Sequence, residues 1–463
     1  MADYAKIFMA YDIRGIVPGE LDEDIAEAVG ASLAQLTGAP AVIIVHDMRT
    51  SSGPLAAAMA RGITSTGADV VDAGLGSTDM LYYASGSLGL PGAMITASHN
   101  PARYNGIKLC RAGAKPIGQD TGLTELKQMA IELAGGLLGV VPPGQHSHAK
   151  AAKSGTVRTE DLLSGYAEYL TKLVDLSSIR PLKVVVDAGN GMAGHTVPKV
   201  FAGLPLETIP LYFELDGSFP NHEANPLDPK NLVDLQAAVR KHSADIGLAF
   251  DGDADRCFVV DEQGEVVSPS VVTALVAVRE LAREPGATII HNLISSKAVP
   301  EIVIEHGGTP VRTRVGHSFI KAVMAEHGAI FGGEHSGHFY FRDFWFADSG
   351  MLAGLHVLAA LGGQDGPLSE LLASYSRYVG SGEINSQVAE TAATTAKVRL
   401  GYESQPGVTA DELDGLTINS DDWWFNLRPS NTEPLLRLNV EAKDSAILAR
   451  VTDEVLRIVR SND

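Results

Sequence analysis

Three segments of the chain repeat one plan, in which an apolar strand is followed by a helix and a second strand. The first strands open the segments AVIIVHDMRTSS (41–52), LKVVVDAGNGMAG (182–194) and ATIIHNLISSKAV (287–299). Their apolar residues are continuous rather than alternating with polar ones, which is typical of parallel sheets that helices cover on both faces. The sequence therefore predicts three similar α/β domains with parallel or mixed sheets.

The last part of the chain predicts a fourth domain of another kind. The repeat is absent after about residue 370, and the chain ends in the helical pattern SAILARVTDEVLRIVR, so we expect a small α+β domain. A length of 463 residues also fits three or four domains, at roughly 100–200 residues each. Seams placed in loop-rich stretches predict the domains 1–150, 151–256, 257–370 and 371–463.

Composition argues against several classes of partner. A net charge of −20 argues against a nucleic acid or an anionic membrane, but a few local cations still suffice for an anionic substrate. No segment has the roughly 20 consecutive apolar residues of a membrane helix, and the first residues lack the pattern of a secretory signal. The two cysteines match no metal or redox motif, and we expect buried thiols in a cytoplasmic protein.

The segment ITASHNP (95–101) places Ser98 in a turn at the end of an apolar strand, because Pro101 disfavours helix before it. A hydroxyl at the carboxyl edge of a sheet suits covalent catalysis. The alternative is a turn serine that bonds its own backbone. His99 is not expected to act as its base, because adjacent residues of an extended chain point apart, and the G-x-S-x-G elbow of hydrolases is absent.

The segment DGDADR (251–256) alternates Asp251, Asp253 and Asp255 with small residues after an apolar strand. In an extended loop this spacing directs three carboxylates to one point, and such hard oxygen ligands suit Mg²⁺. A calcium EF-hand fits poorly, because its sixth position requires Gly and holds Arg256, and the following CFVVDEQGEVV predicts a hairpin. An acidic surface loop is the remaining alternative.

The segment GGEHSGHFYF (332–341) combines flexible backbone with Glu334, Ser336 and two histidines, a set that suits recognition of sugar hydroxyls. Two histidines three residues apart also suggest zinc, but no further His or Cys stands at zinc spacing. A purely structural loop is the other alternative.

The segment NLRPSNTEPLLRL (426–438) is a loop that leads into a strand, because its two prolines exclude a continuous helix. An arginine beside short polar donors can bind a phosphate dianion, whereas an ordinary Ser/Asn turn is the alternative. YDIRG (11–15) and NGIKL (105–109) supply further cations.

Together these segments resemble the α-D-phosphohexomutase family, in its phosphomannomutase/phosphoglucomutase branch. The motifs YDIRG, TASHNP, NGIK, DGDADR, GEHSGH and RPSNTEP occur in the family's order over essentially the whole chain. RPSNTEP resembles the mannose/glucose branch, because the glucosamine branch usually reads S-G-T at positions 430–432. In one departure, Ile294 stands where some relatives carry a cleft lysine, and Lys297 follows three residues later.

The resemblance implies four domains around a central cleft and a role for each motif. Ser98 would be the phosphoserine, and its phosphoryl group would bind Mg²⁺ together with the three aspartates. Glu334 and Ser336 would hold the sugar hydroxyls, and Tyr11 would contact the substrate. The other phosphate of the sugar would be bound by Arg428, Ser430, Asn431 and Thr432. The reacting end would be lined by Arg14, Lys108, Arg256, His317 and His338.

The implied reaction interconverts mannose 6-phosphate and mannose 1-phosphate, with glucose phosphates as further candidate substrates. It proceeds through a hexose 1,6-bisphosphate, which also acts as an activator, and Lys108 or His338 would accept the hydroxyl proton. The alternatives are a phosphoglucosamine mutase, a metal-dependent phosphatase that uses Ser98, and a sugar-phosphate sensor, which would need no nucleophile. Both a monomer and a homodimer are compatible with the sequence.

Overall fold

The computed structural model describes residues 3–137, 153–430 and 435–461. Within these ranges the chain forms three α/β layers built on mixed sheets, followed by an antiparallel sheet with two helices. It divides into two compact units.

The first sheet belongs to the first unit. Its described strands are Ile13–Ile16 (β1), Ala41–His46 (β2), Asp69–Leu75 (β3), Gly92–Ile95 (β4), Tyr104–Arg111 (β5), Lys115–Pro116 (β6) and Val157–Thr159 (β7). They lie in the order β1-β5-β4-β2-β3-β7, with β6 beside β5. Strands β4, β2, β3 and β7 are parallel, and β1 and β5 run antiparallel to their neighbours. The helices are Tyr4–Ile7 (α1), Glu23–Thr37 (α2), Ser52–Ser65 (α3), Thr78–Leu88 (α4) and Leu123–Leu137 (α5).

The second sheet also lies in the first unit. Its strands are Leu182–Asp187 (β8), Leu206–Leu211 (β9), Ile246–Phe250 (β10), Cys257–Val260 (β11) and Val266–Val267 (β12), in the order β12-β11-β10-β8-β9. The β8, β9 and β10 strands are parallel, and β11 and β12 form the hairpin that the sequence predicts after DGDADR. The helices are Leu163–Leu173 (α6), Ala193–Val200 (α7) and Val233–His242 (α8).

The third layer repeats the parallel plan. The strands Thr288–Asn292 (β13), Thr309–Thr313 (β14) and Phe331–Gly333 (β15) are parallel, with β13 in the middle, and they belong to the second unit. Phe339–Phe341 (β16) and Ala347–Asp348 (β17) form an antiparallel pair in the first unit. The helices are Pro269–Arg283 (α9), Ala298–Glu305 (α10), His317–His327 (α11), Gly350–Gly362 (α12) and Leu368–Leu372 (α13).

The fourth sheet lies in the second unit and is antiparallel throughout. Its strands are Val379–Gln387 (β18), Thr409–Asp411 (β19), Leu416–Asn419 (β20), Trp423–Pro429 (β21) and Leu435–Ala442 (β22), in the order β18-β22-β21-β20-β19. The helices are Thr391–Tyr402 (α14) and Ser445–Val459 (α15), and they cover one buried cluster of Val, Leu and aromatic side chains. Short 3-10 helices occur at Gln119–Thr121, Pro229–Leu232 and Arg342–Phe344.

These sheets confirm the predicted fold class, three mixed α/β domains and a C-terminal α+β domain. The domain boundaries remain predictions. Two of the predicted boundaries separate strands that pair with each other in one sheet. β7 lies beyond residue 150 but pairs with β3, and β11 lies beyond residue 256 but pairs with β10.

Both cysteines are buried free thiols. No described helix is both long and apolar enough to span a bilayer.

Helices α2 and α3 cross closely because glycine stands at each contact. A Cβ on Gly62 of α3 would lie 1.9 Å from the carbonyl oxygen of Glu27, and one on Gly30 of α2 would lie 2.3 Å from that of Met59. Helix α2 is well defined at its ends, because Asp22 caps its first turn and Gly38 follows it with a φ of 59°. The approach of the two helices therefore depends on residues without side chains.

We expect Gly62→Ala to destabilise the first unit by about 1–3 kcal/mol, because the added methyl group meets backbone rather than a movable side chain. Gly53→Ala in the same helix is the matched control, since a Cβ there meets nothing within 4 Å and alanine favours helix by up to about 1 kcal/mol. Calorimetric unfolding should show a lower Tm for the first variant only. Equal Tm values would contradict the assigned helix packing.

Candidate functional site

Ser98 lies in the turn that follows the carboxyl end of β4, at the edge of the first sheet. Its φ is 50°, a left-handed conformation that costs about 1–2 kcal/mol for a residue other than glycine. The Ser98 N–H donates to Thr96 Oγ1 at 2.9 Å, and its hydroxyl donates to Asp251 Oδ2 at 2.8 Å. Ser98 is buried, so this hydroxyl is aimed at a carboxylate rather than at solvent.

The expected orientation of His99 is wrong. Its Nδ1 lies 3.2 Å from Ser98 Oγ, because the left-handed turn at Ser98 brings the two side chains to one side. Burial, followed by the charges of Arg256 and Arg14, holds the pKa of His99 well below its ordinary value. The imidazole beside Ser98 is therefore neutral.

The three aspartates of the DGDADR segment converge as the sequence predicts. They follow the fully buried strand β10, and one carboxylate oxygen of each lies within 4.8 Å of the others. The loop turns because Ala254 has a φ of 58° and donates its N–H to the Asp251 carbonyl at 3.0 Å. A Cβ at Gly252 would lie 2.4 Å from the Ser98 carbonyl oxygen, so glycine lets this loop meet the Ser98 turn.

Two cations offset part of the negative charge of this carboxylate cluster. The Lys108 ammonium lies 2.6 Å from Asp253 Oδ2 and 2.6 Å from Asp255 Oδ2. Arg256 donates from Nε to Asp251 Oδ2 at 2.9 Å, and its Nη2 lies 2.8 Å from the same oxygen. All five groups are largely or wholly removed from water, so these contacts act at low effective dielectric.

The carboxylates of the cluster differ in acidity. Burial raises the pKa of Asp251 to about 7, against the opposing charge of Arg256. Burial alone would also raise the pKa of Asp253, but the charge and hydrogen bond of Lys108 outweigh it and hold that pKa below its ordinary value. The same two acids outweigh burial at Lys108 and raise its pKa, so the ammonium keeps its proton.

The aspartates fit a hard divalent cation. Oδ1 of Asp253 and Oδ1 of Asp255 are buried and have no hydrogen-bond partner among the described residues. Together with Asp251 they present only carboxylate oxygens, which Mg²⁺ prefers to nitrogen or sulfur ligands. The Ser98 hydroxyl reaches the same cluster through Asp251.

Arg14 and Lys108 share one face of the first sheet. Arg14 on β1 stands opposite Gly106 on β5, and Lys108 follows two residues later along β5. The Arg14 guanidinium donates to Asn100 Oδ1 and pairs with Asp12, which ties it to the residues just after Ser98. Tyr11, the other candidate of this segment, is half-buried and lies two residues before β1.

His338 lies immediately before β16, beside the carboxylate cluster. Its Nδ1 is 2.9 Å from Asp348 Oδ2 and 3.9 Å from Asp255 Oδ1. Burial alone would lower the pKa of His338, but Asp255 and Asp348 outweigh it and raise that pKa above its ordinary value. Gly337, with a φ of 86°, keeps the loop against the Phe258 ring, and Ser336 before it is half-buried.

The sequence motifs did not reveal the residues at the start of α4 that support the aspartate loop. At the start of α4, the Thr78 hydroxyl donates to Asp253 Oδ2 at 2.6 Å, and its N–H donates to the Asp253 carbonyl at 3.0 Å. The next residue, Asp79, is fully buried and accepts from Tyr166 at 2.8 Å and Ser349 at 2.6 Å. The Ser-Thr-Asp pattern at a helix start signals a cap, but nothing in it signals the partner 175 residues away.

Glu334 follows β15 in the second unit and is buried. Its Oε2 lies 3.2 Å from Asn292 Nδ2 and 3.3 Å from the N–H of Gly316, donors that precede α10 and α11. Asn292 is a further residue that the motifs did not reveal. Helix α11 begins at His317, but the side chain of His317 lies outside the described part of the chain.

Arg428, the arginine that the sequence predicts to bind phosphate, also lies in the second unit. Arg428 on β21 stands directly opposite Arg437 on β22, and Glu383 on β18 pairs with both at 3.3 Å. Like charges facing across a ladder repel, so Glu383 stabilises the pair. Ser430 follows β21, and its N–H donates to the Leu435 carbonyl at 2.9 Å. The other two residues expected in this loop, Asn431 and Thr432, lie outside the described residues.

Lys297 is engaged with the fourth sheet. Its ammonium lies 3.3 Å from the Ser420 carbonyl and 3.5 Å from that of Asp421. Its N–H donates to Glu441 Oε2 at 2.9 Å, an oxygen that also accepts from Trp424 Nε1. Lys297 therefore joins the two sheets of the second unit.

Comparison with protein families covers nearly the whole chain. Residues 5–132, 164–264 and 269–378 match domains I, II and III of the family described as "Phosphoglucomutase/phosphomannomutase", each an alpha/beta/alpha domain. Residues 383–458 match the C-terminal domain of the same family.

Individual relatives agree with this family. The chain is 41% identical to a phosphomannomutase of Escherichia coli over 98% of this chain and 99% of the relative. It is 40% identical to a protein of Xanthomonas campestris named "Phosphohexose mutases", over 98% and 99% of the two chains. The crystal structure of a phosphoglucomutase/phosphomannomutase family protein from Burkholderia thailandensis is similar to it with a TM-score of 0.88 and 32% identity, over 100% of this chain and 99% of that one.

We expect the Asp79 carboxyl to make stability depend on pH. Burial raises the pKa of Asp79 to about 6 from an ordinary 3.8, so between these values the folded protein holds a proton that the unfolded chain releases. Stability from this group is present below pH 3.8 and is lost as pH rises to about 6. In Asp79→Asn, the Tm relative to wild type should therefore rise over this window, by the equivalent of up to about 3 kcal/mol, and then level off.

The control for the loss of one acid is Asp120→Asn at an exposed position. Thermal unfolding of the three proteins in matched buffers from pH 4 to 7 measures the effect. A constant Tm difference between Asp79→Asn and wild type would contradict the burial of an ionisable Asp79.

Proposed function

The chain belongs to the phosphoglucomutase/phosphomannomutase family, and from this premise we propose that it interconverts mannose 6-phosphate and mannose 1-phosphate. The observation that carries the proposal is the hydroxyl of Ser98, aimed at Asp251 within a cluster of three buried carboxylates. Such a hydroxyl is positioned to carry a phosphoryl group, and the relatives named above as mutases support the substrate class.

We assign the roles in the chemistry to groups around Ser98. Phosphoryl transfer requires positioning and stabilisation of charge more than covalent assistance. Arg256 pairs with Asp251, the acceptor of the Ser98 hydroxyl, and Lys108 pairs with Asp253 and Asp255, so both supply fixed positive charge within the cluster. Arg14, tied to the residue after His99, would bind the oxygens of the transferred group.

Mg²⁺ is the proposed cofactor, held by the three aspartates with an oxygen of the phosphorylated Ser98. When bound, it would withdraw charge from the phosphoryl group and so ease its transfer. The buried, unpartnered oxygens of Asp253 and Asp255 support this ligand set.

We assign the acceptor of the hydroxyl proton to His338 rather than Lys108. The Lys108 ammonium is bound by two carboxylates that raise its pKa, so it is a poor base in this arrangement. The imidazole of His338 is oriented by the contact of its Nδ1 with Asp348, as expected of a positioned base.

The substrate would be recognised at its hydroxyls and at its second phosphate. We propose that Glu334 accepts hydrogen bonds from the sugar, since Asn292 and Gly316 already fix one of its oxygens, and that Ser336 and Tyr11 add contacts. Arg428 would exchange its ion pair with Glu383 for the phosphate, with Ser430, Asn431 and Thr432 as further donors. Transfer to the 1-hydroxyl makes a hexose 1,6-bisphosphate, and its reorientation and back-transfer give the product and restore the phosphoserine.

We expect Ser98→Ala to abolish mutase activity, because it removes the only proposed carrier of the phosphoryl group. Turnover of mannose, glucose and glucosamine phosphates should be measured side by side with glucose 1,6-bisphosphate present, and phosphate on Ser98 should be mapped by mass spectrometry. Ser87→Ala, an exposed serine in the same domain, should keep wild-type turnover. Wild-type-like activity of Ser98→Ala would rule out the mechanism.

The same assay separates the alternative functions. Faster turnover of glucosamine phosphate than of mannose phosphate would favour a phosphoglucosamine mutase. Release of free phosphate at the rate of isomerisation would favour a phosphatase.

We expect Arg428→Ala to raise KM for the hexose phosphate about 10- to 100-fold, because a hydrogen-bonded charge contributes about 1.5–3 kcal/mol to binding. Arg399→Ala is the matched control, since Arg399 also pairs with glutamates but lies elsewhere in the second unit. Steady-state kinetics measures KM for the hexose phosphate in both variants. An unchanged KM in Arg428→Ala would remove Arg428 from the phosphate site.

A further inference from the structure

A buried arginine outside all the motifs described above lies beneath the Ser98 turn. Arg49 follows β2 and is 3% exposed. Its Nη2 donates to the carbonyl oxygens of Ser98 at 2.8 Å and Asn100 at 2.7 Å, and its Nη1 to those of Pro101 at 3.0 Å and Tyr104 at 2.9 Å. Four carbonyls, from the Ser98 turn to the first residue of β5, thus converge on one guanidinium.

The guanidinium is itself fixed in place. Its Nε donates to Asp47 Oδ2 at 3.2 Å, and Asp47 Oδ1 accepts from the Arg49 N–H at 3.0 Å and from the Ser52 hydroxyl at 2.5 Å. The ring of Phe219, a residue between β9 and α8, covers the guanidinium. The ring centroid lies 5.0 Å from Arg49 Cζ. A Cβ at Gly217 would lie 2.5 Å from Arg49 Cα, so the covering segment depends on glycine there.

All five N–H donors of Arg49 are therefore engaged, four by carbonyls of residues 98–104 and one by Asp47. The turn needs such support because Ser98 has a left-handed φ of 50°, which a serine does not prefer. A lysine has three donors on one nitrogen and cannot reproduce a planar fork that spans four acceptors.

We propose that Arg49 is a positioning residue for phosphoryl transfer, which holds the Ser98 turn in its left-handed conformation and so aims the Ser98 oxygen at the aspartate cluster. The inference rests on the proposed role of Ser98 as phosphoryl carrier. Arg49 acts through the backbone of the turn and touches neither the sugar nor the transferred phosphate.

The test compares Arg49→Lys and Arg49→Ala with the wild type. We expect kcat to fall about 100-fold, as for a misplacement of about 1 Å, with KM for the hexose 1-phosphate unchanged within about threefold. Phosphorylation of Ser98 by glucose 1,6-bisphosphate, followed by intact mass, should slow in parallel. Low-millimolar guanidinium should restore part of kcat in Arg49→Ala, because the ion fits the space that the side chain leaves.

Arg180→Ala is the matched control, because Arg180 also binds backbone carbonyls and an aspartate in the first unit but lies away from the Ser98 turn. It should keep wild-type kcat and show no response to guanidinium. If Arg49→Ala does not fold by circular dichroism, Arg49→Lys alone decides, since it keeps the charge beside Asp47.

Three results would overturn the proposal: kcat of Arg49→Lys within about threefold of wild type, a loss that falls on KM alone, or a folded Arg49→Ala that guanidinium does not restore. A wild type without mutase activity would instead overturn the proposed function, so the two failures are distinguishable.

Discussion

Three buried carboxylates within 4.8 Å of one another are the constraint on which the arrangement of the first unit depends. Uncompensated charges in such a site cost on the order of several kcal/mol per ion. Lys108 from the first sheet and Arg256 from the aspartate loop compensate this cost by ion pairs. The hydroxyl of Thr78 adds a hydrogen bond. Because Lys108 and Thr78 come from the first α/β layer and the aspartates from the second, the cluster stabilises the contact between those layers.

The contact between the first two layers also requires glycine where backbone segments approach each other closely. Gly252 lets the aspartate loop reach the Ser98 carbonyl, and a Cβ at Gly217 would lie 2.5 Å from Arg49 Cα. Ser98 and Ala254 both adopt left-handed conformations at the points where the two loops turn. Such strain persists only where surrounding contacts over-determine the backbone, and at Ser98 the hydrogen bonds that it donates to Asp251 and Thr96 do so.

The sequence predicts the local parts of this site well and the long-range parts poorly. Continuous apolar runs identify β2, β8 and β13, and the spacing of DGDADR identifies the convergent carboxylates. The orientation of His99 was mispredicted, because it depends on one φ angle at Ser98 that no propensity encodes. Thr78 and Asn292 look like ordinary polar residues in sequence, and their roles arise from partners that only the fold brings near.

The balance of charge around Ser98 links the proposed phosphoserine to the proposed metal ion. With a free hydroxyl, two cations face three carboxylates, and the Ser98 hydroxyl donates to one of them, Asp251. A phosphoryl group on Ser98 would replace the hydroxyl donor with about 1.5 to 2 further negative charges. The cations already present would then be outweighed, and the oxygens of Asp253 and Asp255 that lack hydrogen-bond partners among the described residues are the ones left to bind additional positive charge. The proposed binding of a divalent cation would thus follow from the proposed phosphorylated state of Ser98.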